Sequence, residues 1–266
     1  MNRAMTKKII ERLLFLISVA AIVVLLGFSG NSNVKRASHE LDIRISSSEG
    51  NYFICETTIR GMIIDEMDTL EGRIIDQDMI KKLHKLIHSI PWVDDARVYR
   101  TINADIKVDI SLKDPMVRVI NRNNESFYVD YNGDVFPLSD EHTARVMLAT
   151  GSIDISPGIT GNLATHDENM DVGVLARQKA LFDLASYISE NEFWDAFIDH
   201  IYVREDGQFE LTPKNGAHII EFGHATDIQS KFEKLNTFYL EGITQVGWNY
   251  YSRINIAYTN QIICSK

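Results

Sequence analysis

The sequence is poor in cysteine: only Cys55 and Cys264 occur in 266 residues. That excludes a disulfide framework. Each lies in an apolar stretch, Tyr52-Phe53-Ile54-Cys55 and Ile262-Ile263-Cys264, where a free thiol behaves as a small hydrophobe, and no bond between them is expected. Positive charge is also scarce. The net charge is −10, and Arg3, Lys7, Lys8 and Arg12 against Glu11 make the first 30 residues basic, so the rest is more acidic still. With no basic cluster interleaved with aromatics, the chain repels phosphate backbones, and nucleic acid is not an expected partner. Internal repeats, low-complexity tracts and heptad runs are absent, which removes solenoids and coiled coils. There is no Gly-x-Ser-x-Gly elbow and no phosphate loop.

Long apolar runs are limited to one. Leu13 to Phe28 reads LLFLISVAAIVVLLGF without a charge, and Ser29 and Gly30 extend it. That length is near the lower limit for crossing about 30 Å of hydrocarbon. Arg12 and Lys8 lengthen it by turning their charged heads back to the interface. The basic residues ahead of the run predict a cytoplasmic stub over 1–12, a single membrane-spanning helix over 13–30 and an ectodomain beyond a linker at 31–40. A cleaved signal peptide fits the same order of charge and hydropathy. The run is longer than most signal cores and lacks an Ala-x-Ala ending, which favours an anchor.

The remaining composition, 45% hydrophobic and 24% charged, is that of globular domains, and the length suits two of them. Leu41, Ile43 and Ile45 alternate as a strand; Thr57 to Met67 is loosely helical; Asp76 is a candidate cap for a helix striped by Met79, Ile80, Leu83, Leu86, Ile87 and Ile90, which Pro91 ends. Ala96 to Thr101 and Asp105 to Leu112 then form a hairpin. The first module has the order strand, helix, helix, strand, strand and is expected to span 41–118.

A second, strand-rich module is expected over 119–266. Asn132-Gly133 divides FYVDYNGDVFPL into a hairpin. Ala144 to Ala149 is a strand candidate, Gly151 to Asp171 a polar connection and Leu175 to Glu190 a helix. Ile201 to Arg204, Phe209 to Pro213 and His218 to Phe222 suggest an antiparallel meander. Thr226-x-x-Gln229 is a capping-box pattern before a helix striped by Ile228, Phe232, Leu235 and Phe238 or Tyr239. Ser252 to Cys264 returns to strand character. The fold class is α+β.

Constellations that carry chemistry do not assemble. His84 and His88 share a helical face without a third ligand, and Lys85 stands where a helical zinc enzyme has Glu. Asp130, Asn132, Asp134 and Glu141 match calcium-loop positions, but Val135 occupies the required glycine position. Ser139, Asp140 and His142 are too close along one strand end for nucleophile and base geometry. Asp167, Glu168 and Asp171 read as a solvated loop. No catalytic residue, metal, cofactor or small-molecule substrate is expected. By elimination the chain binds other proteins, and a terminal strand can accept a partner strand through its unpaired backbone groups.

The layout resembles the bacterial cell-division FtsQ (DivIB) family over nearly the whole chain. Leu41 to Leu112 has the order of that family's small ectodomain module, termed POTRA. Ile90-Pro91-Trp92-Val93-x-x-Ala96-x-Val98 resembles its helix-to-strand passage, Lys113-Asp114-Pro115-Met116-Val117 the segment closing that module, and Phe127 to Pro137 the opening of the β domain. Tyr251-x-x-Ile254-x-Ile256-x-Tyr258-x-Asn260-Gln261-Ile262 is similar to its last strands. The resemblance implies a non-enzymatic division scaffold that joins FtsB (DivIC)-type, FtsL-type and other divisome proteins at the septum and helps recruit and control wall synthesis. It also implies that a partner strand adds at Ala257, Tyr258, Asn260, Gln261, Ile262 and Ile263. The alternative is a POTRA-bearing transport or membrane-protein assembly component handling unfolded clients; a tethered hydrolase lacks a nucleophile and base.

Overall fold

The computed structural model describes residues 14–24, 37–38, 40–156, 162–164 and 172–266. Residues 14–24 are helical and exposed. The cytoplasmic stub, the flanks of the expected anchor and most of the 31–40 linker lie outside the described residues, as do Asp167, Glu168 and Asp171. Among the described residues, no helix is long and apolar enough to cross a membrane. The folded part divides into two units, one of 54–112 with the chain up to Ser46, the other of 47–53 with 113–266.

The first unit is built from β1 (Leu41–Ser46), α1 (Glu56–Met67), α2 (Gln77–His88), β2 (Val93–Arg100) and β3 (Ile106–Leu112). This is the strand and helix order read from the sequence. Strand β3 is central, parallel to β1 and antiparallel to β2. Its alternation places Ile106, Val108, Ile110 and Leu112 on the buried face, against Ile59 and Ile63 of α1 and Leu83 and Ile87 of α2. Asp76 caps α2 as expected, accepting the Met79 N–H at 2.8 Å. Each of these inner aliphatics is at most 4% exposed, so truncating one to Ala costs about 2–5 kcal/mol.

The second unit is one mixed sheet of nine strands in the order β12-β11-β10-β9-β8-β7-β4-β5-β6. The strands are β4 (Pro115–Ile120), β5 (Ser126–Asp130), β6 (Val135–Pro137), β7 (Met147–Gly151), β8 (Ile198–Val203), β9 (Phe209–Pro213), β10 (Ile219–Gly223), β11 (Arg253–Asn255) and β12 (Ile263–Ser265). Parallel neighbours need a crossover. Helices α3 (Val172–Ser189) and α4 (Glu192–Phe197) lie in the crossover from β7 to β8. Helix α5 (Ile228–Phe238), a single π-helical turn (Tyr239–Ile243) and the short α6 (Thr244–Val246) lie between β10 and β11. Leu181, Leu184 and Ile188 of α3, Trp194 of α4 and Phe232 and Leu235 of α5 join Val119, Ile201, Leu211, Phe222 and Ile254 of the sheet in one core.

Four expectations change. The first module was expected to run to residue 118, but β4 pairs with β5 and β7 of the nine-stranded sheet, so the first unit stops at Leu112. The Thr226 capping box does not form: α5 starts after Asp227, whose φ of 50° is left-handed, and the Gln229 side chain donates to Glu233 instead. The strand character expected from Ser252 to Cys264 resolves into a hairpin of two three-residue strands. Finally, residues 47–53 serve the second unit: Phe53 is 1% exposed, with its ring 5.5–5.7 Å from those of Tyr128, Phe136 and His142.

Candidate partner-binding edge

The hairpin β11–β12 ends the sheet. β11 pairs parallel to β10 at Ile219↔Arg253, Ile220↔Ile254 and Glu221↔Asn255, and β12 returns antiparallel with Asn255↔Ile263, Ile254↔Cys264 and Arg253↔Ser265. Period-two alternation then sorts the side chains. Ile254 is fully buried, and Cys264 packs partly against the same core, where burial pushes its thiol pKa up and keeps it protonated. Asn255 and Ile263 face the opposite way, and Ile263 is 46% exposed.

That opposite face is polar and internally paired. Arg253 spans two strands, bonding Glu210 at 2.6 Å and Glu221 directly. The Glu221 hydrogen bond, with Glu210 beside it, holds the guanidinium pKa above its ordinary value. Asn255 Nδ2 donates to Glu221 at 2.6 Å. The polar ladder locks β11 to β10 and β9, on which β12 rests.

β12 pairs with β11 alone, and no strand lies on its other flank among the described residues. A strand paired on one side only leaves part of its N–H and C=O groups free to template another chain. The opposite edge is built differently. There Asp134 of the β5–β6 turn bridges to Asn162, Leu163 N–H donates to the Gly133 carbonyl at 2.7 Å, and Asn162 Nδ2 reaches Asn132 O at 3.0 Å and Asp134 Oδ1 at 2.7 Å. Gly133 must be glycine: its φ is +87°, and a Cβ would lie 2.7 Å from the Ala164 nitrogen. Pro137 closes that strand without an N–H to offer.

The six residues singled out from the sequence fall at the β12 end. Ala257 is half-buried and Tyr258 is 51% exposed; Asn260 and Gln261 are exposed in the turn; Ile262 packs partly on the core. Only Ile263 belongs to a strand. Sequence reading missed Lys234 of α5, which donates to the carbonyls of Ile256, at 3.0 Å, and of Tyr258. No local pattern signals a lysine that satisfies main-chain oxygens some twenty residues away.

The other constellations resolve into structure. The His84 and His88 rings meet edge to face at 5.9 Å. Asp130, 3% exposed at its side chain, accepts the N–H groups of Asn132 and Asp134 and the Lys113 ammonium at 3.1 Å. Burial raises its pKa despite that pairing. Ser139 Oγ donates to the Phe53 carbonyl and His142 Nε2 bonds Asn51 Oδ1 at 3.0 Å, so both turn to the 47–53 segment and not to each other. Cys55 is exposed, its Sγ 2.9 Å from Thr57 Oγ1, and Cys264 is half-buried. Among the described residues no group of three His, Cys, Asp or Glu side chains could hold a metal ion.

Two family models match the chain in tandem. A POTRA-like domain covers residues 36–111, and the C-terminal related domain of FtsQ/DivIB covers 114–265. The second spans the entire nine-stranded sheet and more than half of the protein. The chain belongs to the FtsQ/DivIB family. Comparison with curated protein sequences gave no match. Within this FtsQ/DivIB protein the two models meet at the same place where β3 hands over to β4, between Leu112 and Pro115.

Proposed function

We propose that this FtsQ/DivIB-family chain is a non-enzymatic scaffold of bacterial cell division, anchored through residues 13–30 in the cytoplasmic membrane with its two units outside. It joins FtsB/DivIC-type and FtsL-type partners, with other divisome proteins, at the septum and helps recruit and control septal wall synthesis. The observation that carries this reading is the open β12 edge inside the FtsQ/DivIB-matched segment, on a sheet whose other edge strand ends in Pro137 and follows a turn bridged to Asn162. A partner strand laid along β12 gains main-chain hydrogen bonds, while Ile263 on one face and the Ile262 and Cys264 side on the other read its alternate side chains. The exposed Tyr258 ring supplies an aromatic anchor beside it. The transport or assembly alternative is not favoured, because a transmembrane barrel is an antiparallel closed sheet, whereas here β4, β7 and β8 run parallel within an open order.

The test is depletion with imaging, together with capture of the extracytoplasmic segment of the FtsB/DivIC-type protein of the same bacterium. Depletion should give filaments with blocked septa; normal division would end the division reading. Tyr258→Ala, and truncation after Ile256, should weaken and abolish capture, respectively. Unchanged capture by the truncated chain would remove the terminal edge as the site.

A further inference from the structure

The turn that presents Ala257 and Tyr258 is fixed from several directions by groups outside it. From α5, the Lys234 ammonium donates to the carbonyls of Ile256 and Tyr258, bracketing Ala257. From β10, the Glu221 carbonyl accepts the Ile256 N–H at 3.0 Å. Asn255 Oδ1 accepts the Ala257 N–H at 3.0 Å, closing a local Asx turn. Gly223, with φ +74°, ends β10 where a Cβ would come 2.7 Å from that of Ala257, so the turn seats only against glycine.

Lys234 is the one charged member of this set that reaches the turn, and among the described residues it has no ion-pair partner. Burial lowers its pKa, so its charge is held at a cost and offset by the two main-chain oxygens. Its neighbour Lys231, 7% exposed, stands over the Phe222 ring at 4.8 Å and donates to the His224 carbonyl at 2.6 Å, fixing the other end of the same helix-to-sheet junction. The carbonyls of Ile256 and Tyr258 would otherwise be free to turn, and with them the Tyr258 ring and the approach to β12.

We propose that Lys234 is the positioning residue of the docking edge: it clamps the start of the β11–β12 turn, so that Tyr258 projects and β12 returns in register before any partner arrives. The inference rests on the proposed function and adds to it a residue that touches no partner. Pre-ordering of this kind lowers the conformational cost of binding.

The experiment compares Lys234→Met, which keeps the apolar stem and removes the donors, with Lys234→Arg, which restores them, in the full-length chain. Hydrogen exchange at residues 257–262 should quicken roughly tenfold in Lys234→Met, the scale of one lost charge-assisted hydrogen bond, with exchange in β8 and β9 unchanged. Capture of the same FtsB/DivIC-type segment should weaken roughly tenfold, and Lys234→Arg should recover both. Gly223→Ala, which leaves Lys234 intact and pushes the turn from beneath, should weaken capture as well, and it serves if Lys234→Met fails to fold. Unchanged exchange, weakened capture without faster exchange, or faster exchange with full capture each overturns the proposal. Capture that survives Ile263→Lys removes the edge itself and the proposal with it; capture lost in Ile263→Lys yet intact in Lys234→Met removes the proposal alone.

Discussion

On one side of the nine-stranded sheet, β6 runs three residues to Pro137 while the 162–164 segment covers the turn before it; on the other, β12 runs three residues with one neighbour and an exposed isoleucine. Both edges are equally short, so length does not distinguish them. What differs is the supply of blocking groups: a proline, a bridging asparagine and a glycine that admits the cover at β6, against none of these at β12. Edges left open in a folded protein invite association. The difference marks β12 as the side of the sheet to which the proposed partner strand is assigned.

Breaking the closed edge should have the largest effect. Lys113, whose side chain is 12% exposed, bonds Asp130 at 3.1 Å and Asp134 at 2.8 Å and thereby holds the β5–β6 turn. Lys113→Met strands a buried carboxylate and should cost about 3–5 kcal/mol in denaturant unfolding. Blunting the open edge comes next. Ile263→Lys should weaken partner capture on the order of 100-fold, about 2.7 kcal/mol, while changing stability by about 0.5 kcal/mol or less, since the side chain is already half in water. Smaller again is Asn162→Ala, which removes two donors from the β6 cover and should cost about 1–2 kcal/mol and raise self-association at high concentration.

The smallest effect is a pH response centred on β10. His218 leads into β10, is 1% exposed and bonds the Tyr239 hydroxyl at 2.8 Å. Burial lowers its pKa below 6.5, the Trp248 carbonyl opposing this only in part. Between the lowered value and 6.5 the unfolded chain binds the proton and the folded chain does not, so stability is full above pH 6.5 and falls as pH drops through that window. Exchange protection in β10 to β12, corrected for intrinsic rates, should decline from pH 7 to pH 5 more than that in β4 to β6, and His218→Phe should flatten the difference. Equal decline in both halves would contradict it.

Much of the first unit was legible because its signals are local. The stripe from Met79 to Ile90, the Asp76 cap and the alternation from Ile106 to Leu112 each fix one element without reference to the rest. The second unit yielded its strands but not its order. Alternation in Ile219 to Gly223 or Arg253 to Asn255 says which face is buried, not that the two strands run parallel across a helix. The family resemblance assigned Lys113 to Val117 to the close of the first module, whereas the apolar run of β4 is buried between β5 and β7. The candidate site was legible as a location, through Tyr258 and Ile263. Its shape was not, because the turn is dictated by Lys234, Glu221 and Gly223, none adjacent in sequence.

The seven residues 47–53 bear on how the chain is made. They leave the ribosome among the elements of the first unit, yet the Phe53 ring belongs with Tyr128 and Phe136, which are synthesised much later. The first unit can close as soon as Leu112 has emerged, whereas the second must wait for its own strands and then gather in a piece of chain already waiting upstream. A fragment that starts at Lys113 would lack that piece and leave a ring-sized void beside Tyr128 and Phe136, so a form of the second unit that keeps the whole piece begins no later than residue 47.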